Sequence, residues 1–366
     1  MRGRVAALVP NVLGASPGQR VRIETWEPYL RAAGWQVDFY PFEDERLHEV
    51  LYAAGRAPAK AARLASCYAR HLLTALRGPR CDVLFIPREA SLVGPALTER
   101  LAAARSGAPV VYDLDDPVFV PYRSPLNGWF SLLKFSRKTH ALFRMSAHVI
   151  AINNLIAGYA RQFNPNVTVI PNCVDTDRYR PSDRPHGEGD GTVRLVWMGS
   201  HSTMQNLAAL AEPLRRLQTK HRAPLRVVGA GGFELAGVET EFRQWSAETE
   251  VESLRDCDVG LVPLPDHPWN RWKFFYKVVQ YMAVGLPVVA RRMGSNAEII
   301  RDGENGFLVE TDEEWHARLR ALAEDRGLRR RMGEAARRTV VENYSLSSQM
   351  PRVVSVFERV AAAARS

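Results

Sequence analysis

Short apolar runs recur along this chain, each closed by a proline, a glycine or charged residues and followed by a segment of helical length. Residues 4–9, 35–40, 82–87, 109–113, 147–152, 193–198, 256–264 and 286–290 read as strands, most of them apolar on both faces. A strand with two apolar faces needs a layer of helix on each side, and strands alternating with helices join through crossovers into a parallel sheet. The expected fold is α/β, a doubly wound parallel sheet. With 366 residues, 46% hydrophobic and 24% charged, the chain is globular and long enough for two such domains. The polar, Pro/Gly-rich run from Arg180 to Gly191 reads as the linker, giving domains 1–180 and 181–345 and a last helix over 346–366.

Several function classes recede on composition. No apolar run reaches bilayer length, and the first ten residues turn polar too soon for a signal peptide, so a cytoplasmic chain is expected. Cys67, Cys81, Cys173 and Cys257 form no Cys-x-x-Cys pair and read as reduced thiols. A net charge of +9 suits nucleic acid, an anionic membrane or a phosphorylated substrate. No nucleic-acid-binding motif accompanies it, and no nucleic-acid partner is expected. From Val118 to Val174 there is no acidic residue. Within that stretch the helix-like segment 128–146 carries Trp129, Lys134, Arg137, Lys138 and Arg144. It reads either as a peripheral membrane contact or as a helix packed on the sheet with its cations in water.

The site candidates lie where strands end. Gly14 and Gly18, with Arg20 and Arg22 behind them, follow the first strand, at the carboxyl edge where such sheets bind ligands. Arg88 and Glu89 close the strand at 82–87. Asp113, Asp115 and Asp116 crowd three carboxylates into four residues, which solvent, a cation or a substrate hydroxyl must meet; a charged turn is the plainer reading. Gly199, Ser200 and Thr203 form a turn whose amides and hydroxyls suit a diphosphate, or simply cap a helix. Lys273, Lys277 and Gln280, at spacings of four and three, fall on one face of a helix taken to start near Trp269 and end at Gly285. That face either binds phosphate or is only solvated.

Taken together, the strand at 256–264, the helix before Gly285 and the run Gly294-Ser-Asn-Ala-Glu298-Ile-Ile-Arg-Asp302-Gly303-Glu-Asn-Gly306 resemble the C-terminal half of a family 4 glycosyltransferase. Pro171-Asn172-Cys173-Val-Asp175 is similar to the Pro-Asn-Gly-Val-Asp segment with which those enzymes leave their N-terminal domain. The resemblance implies the GT-B architecture: two Rossmann-like domains facing across a cleft, with the last helix crossing back. It implies a retaining transferase moving a sugar from a UDP- or GDP-type donor to an acceptor glycan or lipid-linked intermediate, in the cytoplasm or at the inner face of the membrane. No metal or other cofactor is required, because Lys273 and Lys277 would neutralise the diphosphate.

The chain departs from the family pattern in places. Asp-x-Asp-Asp stands where many members have His-Asp, so Asp115 takes the histidine's place and Asp116 the aspartate's. Trp272 and Gln280 replace the two glutamates of Glu-x7-Glu; Trp272 would stack on a sugar, Gln280 would bond the ribose, and Glu298 is a substitute carboxylate. Base contacts are expected near residues 245–252. A non-catalytic nucleotide-sugar-binding protein and an epimerase of the same fold are the alternatives.

Overall fold

The computed structural model describes residues 2–51, 55–121, 135–182, 191–229 and 235–365, with the backbone alone at His201 and Ser202. The chain divides into two compact units, Met1–Asn172 with Gln349–Ser366, and Cys173–Ser348. The division falls at Asn172, eight residues before the expected boundary. Residues 173–182 stay with the second unit because Arg337 donates to the carbonyls of Thr176, Tyr179 and Ala283, and Val174 bridges Ser345. Of the linker expected over residues 180–191, residues 183–190 lie outside the described residues.

The first unit holds six parallel strands, β1 (Gly3–Val9), β2 (Trp35–Pro41), β3 (Val83–Pro87), β4 (Val110–Leu114), β5 (His148–Ala151) and β6 (Val167–Val169), in the order β2-β1-β3-β4-β5-β6. The chain runs one way from β1 to β2 and then the other way from β3, so the switch point lies between β1 and β3. The helix Leu346–Arg365 sets Phe357 against Trp35 and Phe85.

The second unit has β7 (Leu195–Met198), β8 (Leu225–Val228), β9 (Thr240–Arg243), β10 (Val259–Val262), β11 (Val288–Arg291) and β12 (Gly306–Val309). All are parallel, in the order β12-β11-β10-β7-β8-β9, with the switch point between β7 and β10. Every residue of β7, β8, β10 and β12 is buried, as strands covered on both faces require.

After β10 the chain reaches a helix shorter than its sequence suggested. The helix Tyr276–Ala283 starts beyond Lys273, which lies in a turn-rich loop. That loop docks on Gly294 and Ser295. Ser295 donates its N–H and its hydroxyl to the Lys273 carbonyl, both at 3.2 Å, and a Cβ on Gly294 would lie 2.7 Å from the carbonyls of Asn270 and Lys273. Tertiary contacts thus hold residues 269–275 out of the helix their spacing fits. At the other end Gly285, in the left-handed region at φ 81°, and Pro287 stop the helix. Helix Arg326–Asn343 crosses this turn at Gly333, where a Cβ would stand 2.1 Å from the Gly285 carbonyl oxygen.

Candidate active site

In the first unit the loops that leave β1, β3 and β4 converge at the switch point, where a doubly wound sheet leaves room for a ligand. Asp113 on β4 is fully buried and takes the Arg22 guanidinium on both oxygens; Arg22 also donates to the Ile170 carbonyl at 2.6 Å and lies 4.4 Å from the centre of the Trp26 ring. Burial pushes the Asp113 carboxyl up, against the pull of Arg22. Asp115 pairs with Arg88 through both oxygens, and Arg88 Nη2 reaches Asp116 at 3.2 Å. Burial acts to raise the Asp115 pKa, but Arg88, with Arg22 behind it, outweighs burial and holds the carboxyl below the usual range. The cations that meet the three carboxylates are therefore the chain's own arginines.

Gly18 makes the second pair possible. A Cβ there would lie 1.8 Å from Arg88 Nη2 and 2.8 Å from Asp115 Oδ2. Arg88 itself sits in the left-handed region at φ 52°, held by its N–H to the Asp113 carbonyl at 2.7 Å and by the Tyr112 hydroxyl on its own carbonyl at 2.8 Å. Such a conformation costs a non-glycine residue about 1–2 kcal/mol and persists only where neighbours impose it. Gly14 also has positive φ, 78°, and donates to Glu24 at 3.0 Å. We expect Gly18→Ala to lower stability at neutral pH, because the guanidinium must swing away from a buried carboxylate whose folded pKa it holds down. The same change should separate Arg88 from Asp115, visible as a rise in the Asp115 pKa by carboxyl NMR; an unmoved titration would refute the coupling.

Of the basic segment, residues 128–134 lie outside the described residues. Lys138, at the start of helix Lys138–Met145, points inward, 2.9 Å from the buried Glu99. Arg137 and Arg144 are left as its exposed cations among the described residues.

In the second unit the switch point is formed by the turn after β7 and the helix after β10. Gly199 lets that turn lie flat on Trp197, whose indole would be 2.3 Å from a Cβ at this position. The turn keeps part of its hydrogen-bonding capacity for itself. Gly199 donates its N–H to Val228, and Thr203 donates both its N–H and its hydroxyl to the Ser200 carbonyl. Only one α-helical turn, His201–Met204, follows before the 3₁₀ segment Gln205–Leu210. The Gly199 N–H and both Thr203 donors are thus engaged within the chain.

The Lys277 ammonium lies 5.0 Å from the centre of the Trp197 ring, half-buried, and no described carboxylate pairs with it. Burial, helped by the charge of Lys273, lowers its pKa to about 8. Tyr281, fully buried one turn further along the helix, accepts the Met198 N–H on its hydroxyl oxygen at 2.7 Å, tying the helix to the end of β7.

Gln280 is placed differently from expectation. It is 5% exposed and gives its amide hydrogens to Tyr179 Oη and Glu250 Oε1, each at 2.9 Å. Glu250 also accepts from the Tyr179 hydroxyl and from Trp245 Nε1. Tyr179, Glu250 and Gln280 form one buried knot with the exposed Trp245 at its edge, so the Gln280 amide is engaged within the domain. Trp272 is half-buried in the loop with Lys273, and Glu298 is exposed on the turn Asn296–Ile299 that this loop packs on. Lys273 and Lys277 are not two positions on one helical face. Among the described residues no three His, Cys, Asp or Glu side chains converge as metal ligands.

Two family models match. Residues 18–178 match the model described as Glycosyltransferase Family 4, and residues 192–325 the one described as Glycosyl transferases group 1. Among solved structures, sucrose-phosphate synthase of Thermosynechococcus elongatus superposes with a TM-score of 0.70 at 13% identity, covering 98% of this chain and 99% of that one. Anabaena HepE in complex with UDP-glucose gives 0.65 at 17% identity, over 99% and 98%. The fold is GT-B. Curated relatives of this GT-B chain include N-acetyl-alpha-D-glucosaminyl L-malate synthase of Bacillus anthracis, 23% identical over 54% of each chain. D-inositol 3-phosphate glycosyltransferase of Nocardia farcinica is 29% identical over 46% of this chain and 42% of that protein. The match spans about half the length of these relatives.

Proposed function

We propose that this chain is a retaining glycosyltransferase that moves a sugar from a nucleoside diphosphate, of the UDP type, to an acceptor hydroxyl in glycan or glycolipid assembly. The observation that carries this reading is Lys277, a half-buried ammonium with no described carboxylate partner, at the switch point of the second sheet beside the Gly199 turn. A partly dry ammonium with no described carboxylate partner suits an anionic ligand, and a diphosphate leaving group is one. Names of related proteins support the class: several are glycosyltransferases, and HepE is described with UDP-glucose.

In this reaction the bond between the sugar's anomeric carbon and the diphosphate oxygen breaks. The acceptor oxygen bonds to the same carbon from the side the diphosphate leaves, and its proton passes to a diphosphate oxygen. Lys277, with Lys273 nearby, stabilises the charge that develops on the leaving group, so the reading calls for no metal. Arg88, Asp115 and Asp116 stand ready in the first unit to orient hydroxyls. A lipid-linked acceptor would bring the chain to a membrane face, and the exposed Phe135 beside Arg137 is the described part of the segment that would meet it.

The test is thermal unfolding with UDP, GDP, dTDP and ADP and their sugars, together with donor turnover. A nucleotide at a hundred times its Kd stabilises by roughly 2.7 kcal/mol. A shift with UDP that Lys277→Ala abolishes is the expected result; no shift with any donor rejects the reading. Affinity should also depend on pH. Lys277 is charged below its pKa of about 8, so binding of a UDP-sugar, whose diphosphate does not titrate in this range, should be flat near pH 6–7 and weaken as pH rises past that value.

A further inference from the structure

Trp197 sits in β7, a strand whose other residues are aliphatic or methionine, and its indole touches both halves of the candidate diphosphate site. One side of the ring lies under Gly199, where a Cβ would stand 2.3 Å from its outer edge. The Lys277 ammonium lies 5.0 Å from the centre of the same ring. The indole is 2% exposed, so it is fixed by the core around it rather than by solvent. A lysine side chain has four rotatable carbons and loses much freedom when ordered, and a flat aromatic face attracts its ammonium without neutralising it. A carboxylate in the same place would hold the lysine equally well but would cancel the charge a diphosphate needs.

We propose that Trp197 is a positioning residue for Lys277: its indole holds the ammonium at the Gly199 turn with no described carboxylate to neutralise it, and the missing side chain at Gly199 is what admits the indole there. This inference rests on the transferase reading for its consequence in turnover, but not for its physical content. In the absence of the indole, water would reach Lys277 and the ammonium would be free to swing from the turn.

The test uses the full chain and the fact that the sequence has only six lysines. Reductive methylation with carbon-13 formaldehyde gives each lysine a resolvable NMR signal, and Lys277→Arg identifies the one that matters. In the wild type the Lys277 signal should titrate near 8. In Trp197→Leu it should move up by about one pH unit, the hydration gained by the ammonium exceeding the lost attraction of the ring, while Trp197→Phe, which keeps an aromatic face, should stay near the wild type. Gly199→Ala, which pushes the ring aside without removing it, should shift the signal in the same direction as Trp197→Leu. Where donor is cleaved, Trp197→Leu should raise the donor KM at least tenfold, and the alkaline limb of kcat/KM should follow the NMR titration.

A tryptophan that merely fills the core would lower the melting temperature but leave the Lys277 titration in place. An unmoved signal in both Trp197→Leu and Gly199→Ala therefore overturns the proposal. If Trp197→Leu fails to fold, Gly199→Ala and Trp197→Phe decide it by the same readout. Because the titration needs no substrate, a protein that cleaves no donor would refute the transferase reading and still leave this one open to test.

Discussion

Lys277→Met is expected to lower donor turnover by about 10²–10³-fold, the usual cost of removing one group that stabilises charge in a transition state. The same substitution should make the protein more stable. Met keeps the length and apolar stem of lysine, and it removes an ammonium that burial disfavours. The sign follows from the pKa of Lys277, lowered from 10.5 to about 8. Unfolding then takes up a proton between those values, so the stability contributed by this site rises with pH across that window. The gain from Lys277→Met at pH 7 should be on the order of 1–2 kcal/mol, a rise of a few degrees in Tm, shrinking towards pH 10. Turnover and Tm measured on the same preparations check this. A variant that loses both activity and stability would mean that Lys277 braces the fold and has no functional charge. The expected opposition of the two effects is what a binding group held ready for an anion produces, and it is rare among structural residues.

The second large effect is expected at the buried pair of the other unit. Asp113→Ala leaves the Arg22 guanidinium, 1% exposed, without its carboxylate, and breaking such a pair from one side costs about 3–5 kcal/mol. The first unit should unfold at clearly lower urea than the second. The double variant Arg22→Met with Asp113→Leu should recover most of that loss, since it removes both charges and keeps the volume. Loss of less than 1 kcal/mol in Asp113→Ala would show that Arg22 finds other partners, such as the Ile170 carbonyl it already reaches. Arg22 sits at φ −111°, ψ −110°, off the helical conformation inside the π-turn Arg20–Glu24, so this pair also fixes the bend that brings Gly18 to Arg88.

Much of this could be read from the sequence. Strands with two apolar faces, such as residues 4–9, 83–87 and 288–290, can be buried in few ways, and their alternation with helices sets the parallel, doubly wound sheets. The polar strand β9, Thr240–Arg243, carries no such signal; it is a strand because β8 offers an edge for it to pair with. Where chemistry-bearing residues followed a strand directly, as Arg88, Asp115 and Gly199 do, strand ends alone brought them to the switch points.

Tertiary structure decided what those residues do. The spacing of Lys273, Lys277 and Gln280 fits one helical face, but periodicity is blind to the Ser295 contacts that hold Lys273 out of the helix and to the Glu250 carboxylate that draws Gln280 inward. The pairing of Arg22 with Asp113 joins residues 91 positions apart, and that of Arg88 with Asp115 joins residues 27 apart. Trp197 gave no signal beyond being aromatic in a strand. Local sequence fixes which backbone conformations and faces are available, because those depend on near neighbours. Which charge meets which depends on distant segments brought together by burial, and that is determined only when the whole chain has packed.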